Sequence, residues 1–174
     1  MVHLYWYQRL HLLFHLAEAH TNRSAVKEIH MTQDPFGNLT DWGPALNTLE
    51  IMADRGRLEE CQPGLIRILR YKGNWRLREE VLKRTGEIQK PIRELVFQVL
   101  AIIADDNLYY DVRILAADAL SKLIHKIRNG DSDKIYPEMQ AVIQKIRRTP
   151  QPPFFSRALE KLHSEFPDQN SREN

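Results

Sequence analysis

The chain has 174 residues, of which 43% are hydrophobic and 28% charged, and its net charge is +2. This length suits one domain with a sizeable core, the balance excludes a disordered chain, and the small charge does not by itself indicate nucleic-acid binding. One cysteine, Cys61, excludes an intramolecular disulfide and a cysteine-rich zinc site, so we expect a reducing, cytoplasmic setting.

The first predicted element is an apolar helix over residues 3–20. It lacks a basic leader and a small-residue cleavage site, and polar residues interrupt it, so we expect neither a signal peptide nor a membrane span. His11, His15 and Glu18 share one face, and a histidine pair at this spacing can chelate a metal. The helix offers too few further ligands and lacks the His-Glu-x-x-His order, so the sequence predicts no metal site and no cofactor.

A long connection over residues 21–40 follows, and apolar side chains then recur at helical spacing through the rest of the chain. The stripe from Val112 to Ile127 is the longest, and no segment alternates with period two for long enough to form a strand. The sequence therefore predicts an all-α protein. The remaining predicted helices are 42–54, 62–71, 75–88, 91–105, 109–128, 134–147 and 153–165, before a polar tail at 167–174.

The helices form similar pairs, since Pro63, Pro91 and Pro137 each stand near the start of a first helix and a second helix follows. The unit from Pro91 through Asp106 to Asp111-Val112-Arg113, Ala116, Ala119-Leu120 and Leu123 resembles a HEAT repeat. That family has a proline in the first helix, an aspartate in the turn, and Val-Arg with spaced alanines in the second. The resemblance implies a right-handed α-solenoid of about four antiparallel helix pairs, the HEAT-like α-α superhelix.

The resemblance assigns residues 1–166 to a single HEAT-like domain. Its parts are a divergent first pair at 1–55, then repeats at 61–88, 90–128 and 134–166. In the 61–88 repeat, Leu77-Arg78 stands where Val112-Arg113 does, while the last repeat has lost the arginine. We expect Asp106 to cap the turn into the helix that follows it.

Charge is banded along the chain, with a basic excess in residues 55–90 and 121–163 and an acidic excess between them. The resemblance implies that the second helix of each pair lines the concave face. Six cations would then form a basic strip there: Lys83, Arg84, Lys122, Lys126, Arg157 and Lys161. Such a strip would attract an acidic protein or a phosphate backbone. The alternative is a solvated face with i,i+4 pairs such as Glu79–Lys83 and Glu80–Arg84.

The second helix of each pair begins with aromatic residues, which would together form an aromatic rim. We define this rim as Trp42, Trp75, Tyr109-Tyr110 and Phe154-Phe155. Aromatic rings anchor partners, and helix N-termini attract anions. Alternatively, each aromatic residue is a hydrophobic staple that fixes a turn.

Adjacent carboxylates such as Asp105-Asp106 are not expected to form a catalytic dyad, because neighbours in a helix diverge by about 100°. The sequence also shows no motif that assembles a nucleophile, a base and an oxyanion donor. The sequence therefore favours a non-catalytic protein–protein interaction module or scaffold that binds a partner on the concave face. The predicted partner-binding residues are Trp75, Lys83, Arg84, Tyr109, Tyr110, Lys122, Lys126, Arg157 and Lys161.

Two other functions stay open at this point. One is nucleic-acid binding, resembling the HEAT-like DNA glycosylases, for which Asp118 is the only candidate carboxylate. The other is a lyase or chaperone module resembling the bilin-attachment helical-repeat proteins. The identity of a partner and the oligomeric state are not predicted.

Overall fold

A computed structural model of the chain describes residues 34–127 and 129–166, with only the backbone at 129–131 and 133. Within these residues the chain is helical and has no strand, so the all-α prediction is confirmed there. The helices are α1 (Trp42–Asp54), α2 (Gln62–Arg70), α3 (Trp75–Thr85), α4 (Arg93–Ala104), α5 (Tyr110–Ile124), α6 (Asn129–Arg147) and α7 (Pro153–Ser164), with a 3₁₀ turn at Leu58–Cys61. The predicted helix 3–20, most of the connection 21–40 and the tail 167–174 lie outside the described residues.

Residues 34–40 pack against α2 before α1 begins. Phe36 and Leu39 are buried, and the Phe36 ring lies against Gly64, where any Cβ would collide with it. Arg67 binds the Asp34 carboxylate and also donates to the Gly37 carbonyl at 2.9 Å. The hydrogen bond from Arg67 lowers the pKa of Asp34 below its ordinary value. This segment is therefore held by both an apolar contact and an ion pair.

Helix α1 matches its predicted bounds and ends where Gly56 adopts a left-handed conformation, with φ of 66°. The Gly56 N–H donates to the Ala53 carbonyl at 2.9 Å, and the Arg57 N–H donates to the Met52 carbonyl at 2.8 Å. These two bonds satisfy carbonyls that a helix end leaves without intrahelical partners, and they form a Schellman motif.

The helices contact one another in two rows. Helix α3 contacts α1 and α5, and α5 contacts α7, while α4 contacts both α2 and α6. The rows are joined by contacts of α2 with α3, α4 with α5, and α6 with α7. The core lies between the rows, and the small Ala116 and Ala119 of α5 are fully buried within it. Small side chains let neighbouring helices approach closely, as the pattern of α5 predicts.

Helix α6 begins earlier than predicted, at Asn129 instead of near residue 134, so the predicted break at Asn129-Gly130-Asp131 is its first turn. Pro137 therefore lies inside the helix, and the prediction that it stands near a helix start is wrong. The apolar face continues through Ile135 and Tyr136, and the Tyr136 hydroxyl donates to the Ile124 carbonyl at 2.9 Å. These contacts offset the hydrogen bond that the proline cannot make.

Pro91 and the C-terminal ends of two helices also differ from the prediction. Pro91 stands before the N-cap of α4, Ile92, and is not within its first turn. Helix α3 ends at Thr85 instead of near residue 88, and α5 ends at Ile124 instead of near 128. Buried apolar residues in the turns that follow, Ile88 and Ile127, extended the apparent periodicity.

Candidate functional site

Helices α5 and α7 run in the same direction, because equivalent ends of the two meet. At their starts, the Tyr110 and Phe154 rings lie 5.5 Å apart in an edge-to-face arrangement. At their ends, His125 Nε2 lies 2.8 Å from Glu165 Oε2. The end of α3 meets the end of α5 as well, since Lys126 donates to the Gly86 carbonyl at 2.6 Å. The N-terminal ends of α3, α5 and α7 therefore lie along the same edge of the row.

Four residues of the aromatic rim, one at each of these helix starts and one at the start of α1, are exposed. Among the described residues, five large hydrophobic side chains are exposed, and four of them are rim residues. Their exposed fractions are 43% for Trp42, 58% for Trp75, 85% for Tyr109 and 52% for Phe154. A hydrophobic staple places the residue before the N-cap against the fourth helical residue, whereas Tyr109 is itself an N-cap and Trp75 is the first residue of α3. The exposure and position of these residues do not favour the staple interpretation.

The other two rim residues, Tyr110 and Phe155, are less exposed and form a support around Arg113. The Tyr110 and Phe155 ring centroids are 5.3 Å apart, and the Arg113 guanidinium lies 4.4 Å from the Phe155 centroid and 5.2 Å from that of Tyr110. Phe155 is buried, and Tyr110 is half-buried. Tyr110, which the sequence assigns to partner binding, therefore packs into this support, while its neighbour Tyr109 projects into solvent.

Arg113 is 2% exposed and joins the end of α4 to α5. Its Nε donates to the Ile103 carbonyl at 2.9 Å, and its Nη2 lies 3.1 Å from Asp106 Oδ1 in an ion pair without hydrogen-bond geometry. A cation at a helix C-terminus satisfies carbonyls and opposes the negative end of the helix dipole. The expectation that Asp106 caps the next helix is wrong, because Asp106 pairs with Arg113, and Asp105 makes the turn by accepting from the Asn107 N–H at 3.0 Å.

The same contact recurs in the preceding pair of helices. Arg78, also buried, donates to the Tyr71 carbonyl at 2.8 Å just after α2 ends. In the last pair, where the arginine has been lost, the Thr149 hydroxyl donates to the Ile146 carbonyl at 2.8 Å and the Gln151 amide donates to it at 3.3 Å. The equivalence of Arg78 and Arg113 was visible in the sequence, but their capping role was not, because it depends on where the preceding helix ends.

Most cations of the basic strip have partners within the chain. Lys83 binds Glu80, the Arg84 guanidinium lies 3.3 Å from the Glu87 carboxylate, and Lys161 Nζ lies 3.1 Å from Asp118 Oδ1. The predicted i,i+4 pairs of Lys83 and Arg84 are replaced by i,i+3 pairs, which a helix surface also brings together. These contacts reduce the charge that the strip offers to a partner.

Lys122 and Arg157 are also exposed members of the strip. Among the described residues, no carboxylate lies within ion-pair distance of either side chain. The Lys122 stem lies over Gly86, where a Cβ would come within 2.5 Å of it. Asp118, the carboxylate considered for a nucleic-acid enzyme, is paired with Lys161 across α5 and α7 and does not stand alone. The described part of the strip therefore holds mixed charge.

An open, shallow cleft lies between residues 37–40 and the end of α2, lined in part by Arg67, Arg70 and Tyr71. Arg67 already binds Asp34 and the Gly37 carbonyl, and Arg70 donates to the Gln98 side chain at 2.9 Å. Its two arginines are thus engaged by other parts of the chain. We assign no ligand to this cleft.

Cys61 is buried, and burial raises the pKa of its thiol to about 11. Across the part of the chain that the structure describes, no group of three or more His, Cys, Asp or Glu residues is placed to hold a metal ion. The pair His11 and His15 lies outside that part. None of the described helices has both the length and the apolar character needed to cross a membrane.

Comparison with protein-family models, curated proteins and solved structures finds no match for this chain. The resemblance to HEAT repeats therefore depends on the sequence motif of residues 91–123.

Proposed function

We propose that this chain is a non-catalytic interaction module of HEAT-type solenoid architecture, and that it binds a protein partner through the aromatic rim. The two rows of contacts support the architecture, since successive pairs of helices in a solenoid each contact mainly their neighbours. The repeated bond from Arg78 and Arg113 to the end of the preceding helix supports structural equivalence of two of the pairs. The cytoplasmic location expected from the single cysteine remains a prediction.

The observation that carries the proposal is the exposure of Trp42, Trp75, Tyr109 and Phe154 at the starts of four helices of one row. Tryptophan and tyrosine are enriched among the residues that dominate binding energy, and here exposed aromatic rings recur at successive helix starts. The support of Tyr110, Phe155 and Arg113 holds Phe154 in place through the edge-to-face contact of the Tyr110 and Phe154 rings. Phe154 therefore needs little ordering when a partner binds, which reduces the entropic cost of association.

The charges of the row favour a protein partner over a phosphate backbone. Nucleic-acid binding requires several cations that are free to neutralise phosphates, whereas Lys83, Arg84 and Lys161 are each paired with a carboxylate. Lys122 and Arg157 alone would make few phosphate contacts. Nucleic-acid binding is therefore the second candidate function, and a DNA titration distinguishes it from protein binding.

A titration against duplex DNA at increasing salt separates the two functions. We expect no binding at low salt, whereas a nucleic-acid protein would lose affinity steeply as salt rises, because each phosphate contact releases counterions. If DNA does bind, changing Lys83, Arg84 and Lys122 together to Glu should abolish it. Tight, salt-sensitive binding that this triple change abolishes would contradict the proposal.

Capture of protein partners tests the rim itself. Immobilised wild-type protein is compared with a Trp75→Ala, Tyr109→Ala double variant and with Ile51→Ala as the control, since Ile51 is an exposed apolar residue of α1 that is not part of the rim. We expect the double variant to lose the proteins that the wild type and the control retain. Equal capture by all three, with unchanged circular dichroism, would mean that the rim is not the binding surface.

A further inference from the structure

We propose that the aromatic rim binds an extended, proline-containing peptide segment with a lysine or arginine at its centre. This inference rests on the proposed function and names the class of partner. It is carried by the repeat distance of the rim and by the sign of the charges around each exposed ring.

The spacing of the rim matches a polyproline II peptide. Trp75, Tyr109 and Phe154 begin three helices that contact in series, α3 with α5 and α5 with α7. Packed helices lie roughly 8–10 Å apart, so we expect the rings at the starts of these helices to repeat at about this distance along the row. A polyproline II helix has three residues per turn and a rise of about 3.1 Å per residue, which places every third side chain on one face about 9.3 Å apart. Prolines three residues before and after the central residue would meet Trp75 and Phe154, while the central residue itself meets Tyr109.

The aromatic surface also has the chemistry that such peptides need. Proline-rich segments dock on exposed aromatic side chains, and their preformed backbone loses little entropy on binding. An amphipathic helix would instead require a continuous hydrophobic groove. The rim offers separate rings at helix starts, of which Tyr109 is the most exposed.

The charges around the rings alternate in sign along the row. Lys72 and Arg76 flank Trp75, and the Arg76 guanidinium lies 5.3 Å from the Trp75 centroid. Asp105 and Asp111 flank Tyr109. Asp111 is exposed in the first turn of α5, and the nearby Asp106 is already paired with Arg113.

The alternation continues at Phe154, where the charged residue nearest in sequence is again basic, Arg157 in the first turns of α7. A complementary peptide therefore carries a cation at its centre, where it can also lie on the face of the Tyr109 ring. Acidic residues at its two ends would face the arginines and the lysine.

Three fluorescein-labelled peptides of nine residues test this inference by fluorescence anisotropy. The first is Glu-Pro-Pro-Pro-Arg-Pro-Pro-Pro-Glu, which spans about 28 Å as polyproline II and covers the three rings. The second exchanges the positions of Glu and Arg, so that its charges are reversed, and the third replaces each proline of the first by glycine. We expect the first peptide to bind about tenfold or more tightly than either of the others.

Three variants locate the binding surface. Tyr109→Ala should weaken binding of the first peptide by about tenfold, because the ring that meets the central residue is lost. Asp111→Asn should weaken the same peptide by about threefold or more, and should not affect a peptide with glutamine at its centre. Ile51→Ala should leave binding unchanged. Circular dichroism confirms that each variant is folded.

Four results would overturn the inference: equal or tighter binding of the charge-reversed peptide, equal binding of the glycine peptide, no binding of the first peptide, and an effect of Ile51→Ala as large as that of Tyr109→Ala. These failures are distinct from a failure of the proposed function. If the peptides do not bind but the Trp75→Ala, Tyr109→Ala variant loses protein partners in the capture experiment, the rim binds a partner of another kind.

Discussion

Replacing Arg113 perturbs the contact that joins α4 to α5 and supports the rim. The substitution Arg113→Ala removes the hydrogen bond to the Ile103 carbonyl, the ion pair with Asp106, and the contacts with the Tyr110 and Phe155 rings. A hydrogen bond from a charged donor contributes about 1.5–3 kcal/mol, and a desolvated cation–π contact about 2 kcal/mol. Because burying the guanidinium costs part of this gain, we expect the free energy of unfolding to fall by about 3 kcal/mol.

Two matched substitutions separate the parts of this effect. Arg113→Met keeps most of the volume between the rings and should cost less, about 1–2 kcal/mol, mainly because the Ile103 carbonyl loses its donor. Asp106→Asn should cost under about 1 kcal/mol, since the Asp106 side chain is 62% exposed and its ion pair is screened by solvent. Arg76→Ala serves as the control, because Arg76 also contacts an aromatic ring, that of Trp75, but both residues are exposed. We expect it to change the free energy of unfolding by under about 0.5 kcal/mol.

Urea denaturation followed by circular dichroism measures these differences, with the m-value compared among the variants to detect changes in the denatured state. The expected order of destabilisation is Arg113→Ala, then Arg113→Met, then Asp106→Asn. A loss below about 1 kcal/mol for Arg113→Ala, or an equal loss for Asp106→Asn, would refute the assignment of Arg113 as the capping cation of α4.

The remaining predictions concern the α1 terminus, the buried thiol and the rim. Gly56→Ala should lower the free energy of unfolding by about 1 kcal/mol because its φ is positive, whereas Gly43→Ala, within α1 and without neighbours around its Cβ, should leave it unchanged or raise it; thermal unfolding of both variants gives the two signs. Cys61, whose thiol has a pKa of about 11 against an ordinary 9.0, should resist alkylation at neutral pH until the protein unfolds. Because the folded state favours the protonated thiol, the raised pKa stabilises the protein fully below pH 9, and this stabilisation is lost as the pH rises to 11. If a Cys61→Ala variant lost as much stability as the wild type between pH 9 and pH 11, the thiol would not be the cause. Trp75→Ala should cost under about 0.5 kcal/mol and Phe155→Ala about 3–5 kcal/mol, and similar losses for both would restore the staple interpretation.

The helices could largely be predicted from the sequence, because each carries its own apolar stripe. The bounds of α1 were predicted without error, and those of α2 and α7 to within one residue. The start of α6 was missed, because proline is more common in a first turn than inside a helix, and only the contacts of Ile135 and Tyr136 show why Pro137 is tolerated.

The candidate site could be predicted only in part. The sequence located the aromatic residues at the helix starts, but not which of two adjacent residues is exposed, since a one-residue step on a helix turns the side chain by about 100°. Tyr109 and Phe154 are exposed, whereas Tyr110 is half-buried and Phe155 is buried. The partners of Lys161 and Lys126 come from a neighbouring helix or its terminal turn, so the pairing that weakens the basic strip was not visible from one helix alone.

One capture experiment tests most directly whether the rim or the basic strip binds the partner. It compares the rim variant Trp75→Ala, Tyr109→Ala with the strip variant in which Lys83, Arg84 and Lys122 are changed to Glu. Protein retained on each immobilised chain is quantified relative to wild type by mass spectrometry, after circular dichroism shows that both variants are folded. We predict that the rim variant loses the specific partners and that the strip variant keeps them. Loss from the strip variant alone, with full retention by the rim variant, would contradict this prediction.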